Sequence, residues 1–295
     1  MSVEIYKNGS LIKTPIIIRW SGNKDTVSRT LEFEYISGDA CETGDKIIFI
    51  EDGKILFVGQ VYYIDFSSDG KNISVKCFDA IYNMVKSDAT GRFNGTLADI
   101  STQICKIFGL NSQIKGNKAQ IEVITTGDLT YYDIIHKASK IDFEDKKFNI
   151  RMSGTNSLVL ESQLDEPVYT LSSSVNIREA EYSESIENMI NTISIVTSDG
   201  VVLETRDNSQ DIAKYGIFQN IERQREDDNK TELELKSVEY GGDLLVDGNT
   251  ILTTGKKVTI KEPLTGIIGD FFITSDTHTW VDGDYNTQLG IDYVK

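Results

Sequence analysis

Hydrophobic and polar positions alternate with period two through most of the first 88 residues. Val3 and Ile5, then Leu11-Ile12, flank Asn8-Gly9, a two-residue hairpin turn signal. Ile16 to Trp20 is a short apolar run. Leu31, Phe33 and Tyr35 alternate with Glu32 and Glu34, which predicts a strand with one wet face. Lys46 to Ile50 and Ile55 to Val58 flank a turn at Glu51-Asp52-Gly53. The run resumes as Val61 to Phe66, turns at Asp69-Gly70, and continues as Ile73 to Phe78. Short strands between Gly and Asp turns predict a meander in a small barrel or sandwich.

The period changes between 89 and 168. In Gly95-Thr96-Leu97-Ala98-Asp99-Ile100, Thr96 can cap a helix, with Asp99 three residues on at its positive end. Leu97, Ile100, Ile104 and Phe108 then fall on one face, and Gly109 is the stop. Thr130 and Asp133 repeat this grammar, with Ile134, Ile135 and Ala138 as the apolar side. Phe148 to Met152 and Leu158 to Leu160 read as a strand pair. Strands return from 169. Ile193 to Thr197 and Val201 to Thr205 flank Ser198-Asp199-Gly200, and Asp207 to Tyr215 holds a helical turn. Ile217 to Arg223 reads as a strand, and Glu222 to Lys230 as a charged, solvated loop. From Thr231 to Leu245, strand and helix both fit. Val258 to Ile260, Gly269 to Thr274 and Thr287 to Tyr293 are the last predicted strands. The expected fold is mainly β with a smaller α/β part: strand-rich domains at 1–88 and 169–295 around a two-helix insert at 89–168.

Composition agrees with this pattern. The apolar residues lean toward Ile, Val, Tyr and Phe, which fit a pleated surface. With 23 glycines and 3 prolines, glycine supplies most turns. A net charge of −16 repels phosphate backbones unless a basic stripe compensates, and the densest basic spots are only Lys146-Lys147 and Lys256-Lys257. Sequence-specific nucleic-acid binding is therefore not expected. Cys41, Cys77 and Cys105 are far apart and odd in number, which gives no disulfide framework. The N-terminus lacks a basic region followed by an apolar run, so no signal peptide is expected. No stretch approaches the roughly 20 apolar residues of a membrane span.

Candidate chemistry is sparse. His136 lies on the second predicted helix, where a surface or half-buried role is the ordinary one. Asp276 and His278 are two apart, so on a strand both face the same side. A hydrolase would need a nucleophile beside them, and no Gly-x-Ser-x-Gly accompanies the pair. Neither HExxH nor CxxC occurs, and no phosphate-cradling glycine loop does. No metal or other cofactor is expected. The phrase from Gly95 to Ile100 resembles the opening of a LysM glycan-binding module, over six residues that any well-capped helix can produce.

Three segments carry a wider resemblance. They are the helical pair TLADISTQICKIFGL and GDLTYYDIIHKASK, the stretch from Ser185 to Gln219, and EPLTGIIGDFFITSDTHTWVDGDYNTQLGIDYV. Within them, Asn191, Lys214-Tyr215-Gly216, and Gly269 with Asp276 and His278 are the distinctive positions. Their order and spacing resemble the baseplate hub proteins of contractile phage tails, defective prophages and tail-like bacteriocins, those of the late-control D type. The resemblance covers about residues 90 to 295. It implies a homotrimeric virion structural protein without enzymatic activity, located in the baseplate. Such a hub carries two tail-tube-like β domains per chain, so three chains present six. That adapts the threefold central spike to the sixfold tail tube or tube initiator, with other baseplate proteins as further partners. The competing functions are a tail-associated peptidoglycan hydrolase and a glycan-binding module.

Overall fold

The computed structural model describes residues 2–12, 15–24, 26–36, 41–66, 72–116, 119–143, 148–154, 156–162, 166–223 and 234–292. The chain divides into two compact units. One comprises Met1–Ala180 and Asp243–Ile291, the other Glu181–Gly242 and Asp292–Lys295.

The architecture is mainly β with a small helical part, as the hydrophobic pattern predicts. One sheet joins 13 strands. Its path runs Ile177–Ser185, Glu239–Asp247, Asp284–Asp292, Ile267–Val281, Pro15–Asn23, Thr30–Ile36, Asn72–Asp79, Lys54–Phe66, Lys46–Glu51, Val3–Lys7 and Ser10–Ile12. Lys257–Glu262 pairs antiparallel with Ile267–Phe272 and parallel with Tyr169–Ser172. The long strand Ile267–Val281 is the junction. Its second half, Ser275–Val281, pairs with Ile17–Asn23, so the N-terminal meander and the C-terminal strands share one ladder.

Alternation along these strands sends one set of side chains inward. Ile5, Leu31, Ile47, Phe49 and Cys77 are fully buried, and Trp280 joins them from the C-terminal part of the chain. Register shifts at Pro15/Ile17, Phe49/Ile50 and Val61/Tyr63 bend the strands around this core. Among the described residues no closed barrel forms, which corrects the barrel expectation. The path ends at Ser10–Ile12 and at Ile177–Ser185, which do not pair with each other among the described residues.

The expected helices are present at Leu97–Ile107 and Tyr131–Phe143, and a short one at Ile81–Val85 was not anticipated. Thr96 and Asp99 form a reciprocal capping box, and Thr130 with Asp133 repeats it. Leu97, Ile100 and Ile104 are buried with Ile134, Ile135 and Ala138 in a second core. The helices pack on an antiparallel pair, Asp88–Gly95 with Ile121–Thr130. The sequence pattern did not locate that pair, since its wet face carries Thr, Gly and Asp. Phe148–Met152 pairs with Ser157–Ser162 as predicted, and the latter also pairs with Asn111–Ser112.

In the second unit, Thr192–Val196 lies between antiparallel Val202–Asp207 and parallel Gln219–Arg223. The helix Ser209–Tyr215 connects the outer two, with Asn208 as its N-cap. Residues 224–233 of the charged loop lie outside the described residues. The ambiguous stretch after it is a strand over Glu239–Asp247.

Candidate functional site

The structure sorts the distinctive positions into two polar clusters, one in each unit. The first is centred on the strand Ile267–Val281. Asp276 and His278 point to the same side of it and are fully buried. The Asp276 carboxylate accepts from both terminal nitrogens of Arg29, Oδ1 at 3.1 Å and Oδ2 closer. The Thr254 N–H and hydroxyl each donate to Oδ1 at 2.6 Å. His278 Nε2 sits 3.2 Å from Asp276 Oδ2 and 3.0 Å from the Leu252 carbonyl oxygen. A carbonyl only accepts, so Nε2 carries a proton. Nδ1 then faces the hydroxyls of Tyr285 and Thr287, at 2.9 and 3.1 Å. Either can donate to it.

Burial alone would push the Asp276 carboxyl up. The Arg29 guanidinium, with hydrogen bonds from His278 and Arg29, outweighs that and holds it well below the usual carboxylate range. Arg29 also stacks over the Trp20 ring, 3.8 Å from its centroid, and its backbone N–H donates to Asp79. Burial raises the Asp79 carboxyl to about 7, against hydrogen bonds from the Arg29 and Ile81 amides. Burial likewise pushes the Tyr285 phenol up. The hydroxyls near His278 are therefore committed to a closed network tying five separate chain segments together. Arg29, Thr254, Tyr285 and Thr287 were invisible to motif reading because each stands far from, or off-register with, the Asp276–His278 phrase.

The second cluster is built on Asn191, which is fully buried. Its side-chain amide donates to the Gly216 carbonyl at 2.7 Å, and its Oδ1 accepts from the Phe218 amide at 2.8 Å. Its backbone N–H donates to Phe218 O, and its carbonyl accepts from Asn208. One residue thus fastens the strand Thr192–Val196 to both ends of the helix Ser209–Tyr215. Gly216 stands at φ +85 just past that helix, a backbone value that side chains rarely adopt. Lys214 reaches over the Tyr215 ring at 4.6 Å. Gly269 stands at φ +143, and an added Cβ would meet nothing closer than ordinary contact with Phe271, so backbone conformation alone favours glycine there.

His136 lies half-buried on the helix Tyr131–Phe143 between the rings of Tyr132 and Phe148. Burial and the nearby Lys140 lower its pKa. Among the described residues no group of three or more His, Cys, Asp or Glu side chains is placed to hold a metal, and no helix is long and apolar enough to cross a membrane.

This architecture is that of phage tail proteins. It superposes on the 43 kDa tail protein of prophage MuSo2 from Shewanella oneidensis with a TM-score of 0.74 and 13% identity, over 99% of this chain and 97% of that one. The c3393 protein of E. coli is a type VI secretion system component with structural similarity to the T4 bacteriophage tail proteins gp27 and gp5. It matches with a TM-score of 0.55 and 10% identity, over 99% of this chain and 77% of that one. At the sequence level, YqbQ of Bacillus subtilis strain 168 is 24% identical over 265 residues, 84% of this chain and 81% of that one. The chain belongs to the YQBQ-like family, whose profile matches residues 18–292.

Proposed function

We propose that the protein is a structural component of a phage-type tail baseplate, and within it the central hub: a homotrimer adapting a threefold spike to a sixfold tube. The observation that carries this reading is the shared ladder between Ser275–Val281 and Ile17–Asn23. It joins the strand block at 1–88 to the Asp243–Ile291 part of the block at 169–295, our two tube-like halves, in a chain with the fold of tail proteins. The insert at 89–168 would stand outside the ring. Among the described residues the sheet edges at Ser10–Ile12 and Ile177–Ser185 are unpaired, which fits assembly, because an unpaired edge is satisfied by pairing with another chain. Asp276 and His278 stand in the shared ladder, and Gly269 stands earlier in the same strand, opposite Ile260. Asn191, Lys214, Tyr215 and Gly216 hold the small second unit.

Light scattering after size exclusion tests this, on the protein alone and mixed with the spike and tube proteins of its own particle. The expected species contains three copies per spike. A monomer that binds neither partner would overturn the hub reading.

A further inference from the structure

A cavity of about 690 Å³ in the first unit has a character opposite to that of the chain as a whole. Among the described residues five cations line it, Lys24, Arg29, Lys54, Arg151 and Lys256, and of these Arg29 is already paired with the buried Asp276. Asp133 is the one carboxylate among the described lining residues, and it is occupied in capping its own helix, accepting from the Thr130 N–H and hydroxyl. In a protein of net charge −16, this gathers positive potential into one concave place. Among the described residues Lys24 and Lys54 make no ion pair, and both are exposed. Two buried donors among the lining residues, Trp20 Nε1 and Arg29 Nε, have no hydrogen-bond partner among the described residues, and Trp20 is only 5% exposed. Orphan buried donors call for an acceptor.

The walls indicate the shape of that acceptor. A strand presenting a face contributes every second residue. Here all five residues of Phe148–Met152 line the cavity, and so do the consecutive Lys54, Ile55 and Leu56. Both strands therefore turn an edge to it. Among the described residues, Phe148–Met152 pairs only with Ser157–Ser162. Lys54 and Ile55 pair only with Lys46–Glu51, the ladder to Asn72–Asp79 beginning at Gly59. The walls converge where Gly154 packs on the Ile55 carbonyl.

We propose that this cavity is a docking groove for an extended, acidic peptide segment of another protein. The segment adds as a strand along Phe148–Met152, with its carboxylates on Lys24 and Lys54 and its apolar side chains against Ile55, Ile150 and Met152. The site lies within one unit of one chain, so the proposal does not depend on the trimeric hub.

The test uses the full-length protein and a fluorescein-labelled octapeptide alternating valine with glutamate. Controls are the valine–lysine counterpart, a proline–glutamate alternation that cannot join a ladder, and citrate as a small polyanion. Fluorescence anisotropy should rise with the valine–glutamate probe alone. Hydrogen exchange should slow at Phe148–Met152 when it binds. The surface double substitution Lys24→Glu with Lys54→Glu should weaken binding about tenfold or more while leaving the unfolding transition in place. Three results would each overturn the proposal: no binding, equal binding of the lysine or proline probe, or full displacement by equimolar citrate. The last would make the cavity a small-anion pocket.

Discussion

Asp276 is the residue on which the most structure converges, and its environment makes its removal costly in a defined way. Asp276→Asn keeps the shape but leaves Arg29 facing a neutral amide in a largely dry site. Breaking a buried ion pair from one side costs about 3–5 kcal/mol, and urea unfolding should read a loss of that order. Asp79 acts in the opposite direction. Its folded pKa of about 7 lies above the ordinary 3.8, so its favourable contribution is complete below 3.8 and is lost as pH rises to about 7. The full loss is on the order of 4 kcal/mol. Asp79→Asn removes that slope. The stability of the variant relative to wild type should climb through this window and level off above it; parallel curves throughout would refute the assignment. For Asn191→Ala, the Gly216 carbonyl and Phe218 amide lose their partner, at a cost of about 1–3 kcal/mol. The loss should appear as faster amide exchange in Ser209–Gln219.

At the scale of elements, the helices were the most legible feature because their signals are local. Thr96 with Asp99 and Thr130 with Asp133 mark each start within four residues, and the buried positions at Leu97, Ile100 and Ile104 follow helical spacing. Thr130→Ala should cost about 1 kcal/mol, measured as a shift in the denaturation midpoint. Strand pairs with short turns were similarly readable, as at Asn8-Gly9 and Asp199-Gly200. The pair Asp88–Gly95 with Ile121–Thr130 was not, since 25 residues and a helix separate its members and neither alternates cleanly.

For the whole molecule, the shared ladder makes the N-terminal block dependent on residues more than 250 positions away, such as Trp20 on His278 and Ile18 on Trp280. A fragment ending at residue 88 lacks both one of the two partner strands of Pro15–Asn23 and the Trp280 ring of its core. It should show no cooperative unfolding transition, by near-ultraviolet circular dichroism against urea. A sharp transition would show that the block folds on its own.

The sequence by itself determined the strand-rich character, the two capped helices, the turns, and the facing of Asp276 and His278 to one side. Each rests on interactions within a few residues, where period and turn chemistry are sufficient. It could not show that the C-terminal strand pairs with the N-terminal sheet, or that Arg29 and Thr254 close around Asp276. Nor could it show that Lys24, Arg29, Lys54, Arg151 and Lys256 line one cavity in an acidic chain; read linearly, only Lys256, beside Lys257, stood out. Those features depend on which distant segments meet, and long-range pairing is chosen by the packing of the whole core. Asp276 and His278 were legible as a pair on one face, and only the tertiary structure made them the centre of a closed, load-sharing network.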